Sequence, residues 1–217
     1  MLASLLIDAF RFIPDNAHLL LQKTLELAEL AFTALGIAML IALPVGLWLG
    51  HRHRGLFVAL GVSSVGRALP SIALVGFFIA WLGVGFWNIE IALVVIGLPA
   101  LLTNTYFAVE SVDADVVEAA RGMGLTERQI LTRVELPLGL PLILAGIRVS
   151  AVFVIATATI AGIVGGGGLG DIIANQAAYG LAGVLAAALC VSAVALMAAG
   201  LLGLARRAAY RRMAPSA

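Results

Sequence analysis

The side chains able to do chemistry are few and scattered. His51 and His53 form an H-x-H pair among Arg52 and Arg54. That spacing suits a metal, but a site needs more donors and no third one lies nearby in sequence; interfacial anchoring is the expectation. The single cysteine, Cys190, excludes an internal disulfide and a cysteine-rich metal centre and reads as a small packing residue. Gly165-Gly166-Gly167-Gly168-Leu169-Gly170 formally contains G-x-G-x-x-G. A dinucleotide fingerprint must follow a strand in a βαβ unit, whereas this run follows an apolar stretch, and no G-K-[S/T] occurs anywhere. Its glycines are expected to let the chain leave one apolar segment and re-enter a tight layer, with a gating hinge as the second reading. Glu26, Glu29 and Glu90 are expected at interfaces. No nucleophile–base–acid set, paired-carboxylate site or metal cluster presents itself, so no catalytic residue and no metal ligand is assigned. Any reaction must be driven from another chain.

The elements that position these residues follow from where charge is missing. Hydrophobic residues make up 62% of the 217 and charged ones 12%, against about 25% charged in a soluble domain. That balance excludes an ordinary soluble enzyme, a nucleic-acid binder and a disordered regulator. No charge falls in 30–50, 68–89, 91–109, 149–170 or 172–205, and about 20 apolar residues suffice for a helix to cross a bilayer core. Five spans are predicted, near 28–50, 56–84, 89–110, 138–163 and 181–204. They should be helical, because lipid offers backbone groups no partner and the runs lack the alternation of a barrel. The second is too long for one straight crossing and contains Pro70, which predicts an inner piece (57–67) and an outer piece (70–84). The expectation is an all-α polytopic transmembrane bundle.

Orientation follows from the basic residues. Arg52, Arg54, Arg121, Arg128, Arg133, Arg206, Arg207, Arg211 and Arg212 cluster on one side, and Arg11 and Lys23 lie on the other. The N-terminus is expected outside and the C-terminus in the cytoplasm of a bacterial-type inner membrane. Residues 1–26 would form an outer interfacial segment, 27–205 the transmembrane domain, and 206–217 a basic cytoplasmic tail. The tail arginines are read chiefly as this orientation signal, with contact to anionic lipid as a second reading. Gly46 and Gly50 form G-x-x-x-G, which permits close helix contact.

Nine of the charged residues lie between Glu110 and Glu135, so the 111–135 loop is polar, held between two spans, and predicted to be a helical hairpin. Asp113 can cap a first helix running through Glu118-Ala119-Ala120-Arg121, which Gly122 and Gly124 break. Thr126 with Gln129 fits a capping box for a second helix expected to stop near Pro137. A solvated connector is one reading; a docking knob for a soluble partner is the other.

Glu118-Ala119-Ala120, three residues, Gly124, nine residues, then Val134-Glu135-Leu136-Pro137 resembles the EAA loop of ABC importer permeases, with Val134 where isoleucine is usual. Arg67-Ala68-Leu69-Pro70-Ser71-Ile72-Ala73-Leu74 and Asn104-Thr105-Tyr106 are similar to the branch importing glycine betaine, choline and carnitine, although Thr103 stands where that branch commonly has arginine. Glu118 to Met123 and Ala145-Gly146-Ile147-Arg148 match it too, whereas Gly-Gly-Leu-Gly-Asp at 167–171 is shared with methionine permeases. The resemblance implies a type I importer fold with no ATP site of its own. It implies a second permease chain, identical or similar, two cytoplasmic ATPases that carry ATP and Mg, and an extracytoplasmic solute-binding protein. It also implies that Glu118, Ala119, Ala120, Arg121, Gly122, Gly124, Leu136 and Pro137 couple to the ATPase. Nucleic acid is not among the expected partners.

Arg67, Pro70, Ser71, Asn104, Tyr106 and Arg148 are the candidates for the passage or its gate. Arg148 lies within a span, where a charge facing lipid costs a few kcal/mol, so it should face protein or water, with Glu110 as candidate partner. A methionine-type or other small-solute importer is the alternative within the class. A secondary transporter would be expected to show inverted repeats and paired broken helices, and a membrane scaffold would need the hairpin without a passage.

Overall fold

The computed structural model describes residues 2–213 except Arg54, Leu69, Val84 and Ile163; side chains at 2, 3, 58, 60, 63, 65, 67, 68, 212 and 213 lie outside the described set. Among the described residues every regular element is helical: α1 (Leu2–Asp15), α2 (Ala17–His51), α3 (Leu56–Ala68), α4 (Ser71–Leu82), α5 (Phe86–Glu110), α6 (Ala114–Gly122), α7 (Glu127–Ile130), a π-helical turn (Leu131–Glu135), α8 (Leu136–Gly162), α9 (Leu169–Ala174) and α10 (Gln176–Met213).

Four helical stretches are long and apolar enough to cross a membrane: Ala17–His51, Phe86–Glu110, Glu127–Gly162 and Gln176–Arg211. The predicted second span is two helices, α3 of 13 residues and α4 of 12. At 1.5 Å per residue these are about 20 and 18 Å, so neither crosses alone. Pro70 stands between them with extended backbone (φ −63°, ψ 124°); its ring fixes that φ, and it has no N–H with which to continue a preceding helix.

Two boundaries differ from expectation. The helix that carries the first span begins well before 28, because α2 runs unbroken from Ala17 for 35 residues, about 52 Å. The second hairpin helix does not stop near Pro137, because Glu127–Gly162 is one continuous rod. The π-helical turn is the reason. The Leu136 N–H bonds back to the Leu131 carbonyl, one residue further than in an α-helix, and this widened turn accommodates the missing donor at Pro137 without ending the helix. In α10, non-helical Gly180 (φ 65°) separates a short first turn from the apolar run expected to start at 181.

The helices form two compact units: 1–36 with 69–96 and 151–198, and 37–68 with 97–150 and 199–217. The first has a core of Leu27, Ala34, Val75, Leu93, Ala158 and Ile172. The second buries Ala38, Ala42, Leu101, Tyr106 and Ile130. Small residues dominate where helices touch. A Cβ built on Gly46 would meet Thr105 at 2.7 Å, and one on Gly50 would meet the Tyr106 carbonyl at 2.7 Å, so the G-x-x-x-G of α2 is a close contact with α5.

Candidate functional site

The polar hairpin is built by its caps. Asp113 accepts from the Asp115 N–H and opens α6. At the other end the Leu125 N–H reaches the Ala120 carbonyl and the Gly124 N–H reaches Arg121, the pair of bonds of a Schellman stop with Gly124 in the left-handed position (φ 82°). Gly124 therefore ends the helix. Gly122 does not, because it remains helical, and a side chain there would meet nothing within 4 Å. Thr126 and Gln129 make both bonds of the capping box that opens α7.

The hairpin's surface separates by burial. Ala120 is buried as α6 packs against α7 and the π-helical turn. Glu118, Ala119, Arg121, Gly122 and Gly124 are exposed, and so are Val116 and Met123, the latter 74% exposed. Leu136 is half-buried and Pro137 exposed at the root of α8. Sequence reasoning passed over Met123; its place beside the helix-ending glycine was the available signal.

A charge network holds the hairpin to the end of α2. Glu135, 1% exposed, lies 2.7 Å from His51 Nδ1, within hydrogen-bond distance. His51 Nε2 lies 3.4 Å from Glu127 Oε2. Arg121 donates to both Glu127 oxygens, at 3.1 and 3.3 Å, and this hydrogen bond, with the carboxylate's charge, pushes the guanidinium's pKa further up. His51 is thus a strut rather than a free interfacial anchor. The residues that show it are 84 apart in sequence, which is why the H-x-H pattern alone did not reveal it.

The described passage candidates each make their own contacts. Asn104 donates to the Ala100 carbonyl at 2.8 Å and packs where a Cβ on Gly146 would stand, 2.6 Å away. Tyr106 is buried in the core. Thr103, standing where arginine is common, donates to the Ala59 carbonyl at 3.2 Å and ties α5 to α3. Pro70 is exposed and Ser71 half-buried, while the Arg67 side chain lies outside the described residues. Arg148 is exposed and makes no ion pair with Glu110 among the described residues; its guanidinium instead reaches toward Gly203 on α10.

The glycine loop lies between two helices rather than after a strand. It joins α8 to α9 with Gly165, Gly167 and Gly168 at positive φ. The Gly168 N–H donates to Glu26 at 2.9 Å, and Lys23 bridges Glu26 (2.8 Å) and Asp171 (2.7 Å). Glu90 is 1% exposed, and among the described residues neither of its oxygens has a hydrogen-bond partner.

With this geometry in place, the comparisons with known proteins are specific. Residues 42–215 match the family of binding-protein-dependent transport system inner membrane components. The carnitine transport permease protein OpuCB of Listeria monocytogenes is 40% identical over 164 residues, 76% of this chain and 75% of that protein. The choline transport system permease protein OpuBB of Bacillus subtilis (strain 168) is 37% identical over 163 residues, 75% of each. The osmoprotectant import permease protein OsmW of Salmonella typhimurium is 34% identical over 174 residues, 77% of this chain and 80% of that one. In three dimensions the chain is similar to the inward-facing MetNI methionine ABC transporter, with TM-score 0.74 at 22% identity over 89% of this chain and 97% of that one. A helical bundle of membrane-crossing length, a capped polar hairpin rooted in one crossing, and these likenesses together place the chain in the family of binding-protein-dependent transport system inner membrane components, as the permease subunit of an ABC importer.

Proposed function

We propose that this permease carries a small compatible solute with a quaternary ammonium group, of the glycine betaine, choline or carnitine type, across a bacterial-type inner membrane. Relatives named for carnitine, choline and osmoprotectant transport support the solute class. An extracytoplasmic binding protein delivers the solute, where aromatic side chains suit a quaternary amine through cation–π contact. A second permease chain, identical or similar, completes the passage, and two cytoplasmic ATPases supply ATP and Mg. The arginine bias supports an outside N-terminus and a cytoplasmic C-terminus.

The observation that carries the reading is the hairpin itself. Its exposed face is made of Glu118, Ala119, Arg121, Gly122 and Gly124, and its second arm is the same rod as a membrane crossing. Nothing within the chain asks for glycine at 122, so a bare backbone there serves close approach by a partner. Closure of the ATPase pair on ATP would draw the hairpins together, and Leu136 and Pro137, at the root of the rod, would pass that motion to α8. Pro70, Ser71, Asn104, Tyr106 and Arg67 remain the residues proposed for the passage or its gate, whereas Arg148 turns toward α10.

The test is uptake of labelled choline and glycine betaine into proteoliposomes holding the permease, its ATPase and its binding protein. Uptake should require ATP and the ATPase. Uptake driven by an ion gradient alone would favour a secondary transporter, and none under any condition a scaffold. Gly124→Val in this system forces a β-branched residue into left-handed backbone, a strain of about 1–2 kcal/mol or more. It should cut solute-stimulated ATP hydrolysis by more than about tenfold while the permease still folds; normal transport in this variant would sink the docking idea.

A further inference from the structure

Three guanidinium groups face one cleft, and among the described residues no carboxylate pairs with them. In the second unit a cleft of about 640 Å³ is lined by Arg148 from α8 and by Arg206, Arg207, Tyr210, Gly203 and Leu204 from α10. Arg148 sits on a membrane-crossing rod, where an unanswered charge is costly, yet among the described residues none of the three arginines makes an ion pair. No carboxylate lines the cleft. Asp113 lines a neighbouring cleft with Arg206 and Tyr210 and is occupied in capping α6. Just before the arginines, α10 presents Leu201 and Leu204, both exposed. The site thus joins a cationic pocket to an apolar ridge on the same helix.

We propose that this cleft binds the phosphodiester headgroup of an anionic phospholipid, with the acyl chains lying along that ridge. Arginine forks match phosphate oxygens in paired hydrogen bonds, the Tyr210 hydroxyl can add one more donor, and basic pockets between membrane helices are suited to anionic headgroups. The ridge separates a lipid from free phosphate, which shares the headgroup chemistry but gains nothing from apolar wall. The proposal stands independently of which solute the permease carries.

The test is native mass spectrometry of the full-length permease in detergent, titrated with dioleoylphosphatidylglycerol or dioleoylphosphatidylcholine, and repeated in the assembled complex with its ATPase. Phosphatidylglycerol should bind at least about tenfold more tightly than phosphatidylcholine, as losing charge-assisted bonds to phosphate predicts. Arg148→Gln should remove about tenfold of that preference and Arg148→Lys, which keeps charge without the fork, only part of it. Millimolar inorganic phosphate should not displace the lipid. Equal binding of the two lipids overturns the proposal, as does unchanged binding in Arg148→Gln and in the Arg206→Gln, Arg207→Gln double variant. Displacement by inorganic phosphate reassigns the cleft to a soluble anion, and loss of lipid on assembly shows that protein covers it. If Arg148→Gln fails to fold, Arg148→Lys and the double variant decide.

Discussion

The two ends of α2 solve the same problem in different ways. The helix is about 52 Å long, well beyond a hydrocarbon core of about 30 Å, so both ends leave the lipid and both carry charge clusters. At the first end Lys23 bridges Glu26 and Asp171, and Glu26 accepts from the Gly168 N–H. All three charged side chains keep water contact, with side-chain exposures of 18%, 33% and 32%. At the last end the His51 side chain, 15% exposed, holds a Glu135 side chain that is 2% exposed. The first cluster is a clasp on a glycine loop that solvent can partly replace. The second is a strut to a carboxylate closed off from water. Burial, rather than the number of ion pairs, decides which end is costly to break.

The largest effect is expected where the strut is cut. His51→Ala leaves Glu135 buried without its partner, a loss of about 1–3 kcal/mol that should appear as a lowered Tm. Because Glu135 lies at the root of the hairpin, solute-stimulated ATP hydrolysis should fall more than basal hydrolysis. His51→Gln, which keeps a donor, should restore much of both. Equal losses in basal and stimulated rates would make the strut merely structural.

A smaller effect is expected at the clasp. Lys23→Met removes both ion pairs, but partly exposed pairs contribute only about 0–1 kcal/mol each. A thermal shift well below that of His51→Ala checks the contrast; an equal or larger one would break it.

The smallest effect tests the burial argument from the other side. Glu90 is as buried as Glu135, but among the described residues no hydrogen bond reaches its oxygens. A protonated carboxyl and an amide are nearly isosteric, so Glu90→Gln should change the Tm by less than about 0.5 kcal/mol equivalent, as in replacements that leave no group newly unpaired. A large destabilisation would show that Glu90 is ionised and answered by a group from a partner chain.

Much of the hairpin was legible in the sequence because its devices are local. Asp113 with Asp115, Thr126 with Gln129, and Gly124 with Arg121 act over two to three residues, and such spacings can be read along a chain. The break at Pro70 was legible for the same reason, since a missing N–H is a property of the residue itself. The end of the second hairpin helix was not. Pro137 signals a stop only if the preceding turn is α-helical, and a π-helical turn removed that premise.

The amino-acid sequence by itself determined that the chain crosses a membrane several times as helices, because stretches this poor in charge leave lipid as the only solvent and helices as the backbone's way to satisfy itself. It also determined where the polar hairpin begins and turns. Only the tertiary structure decided which charges are answered. His51 found Glu135, Lys23 found Asp171, Arg148 reached toward α10 instead of Glu110, and Glu90 was buried with no hydrogen-bond partner among the described residues. These outcomes depend on which helix faces meet, and contacts between residues 84 or 148 positions apart leave no periodic trace in a chain whose apolar residues lie on every side of its helices.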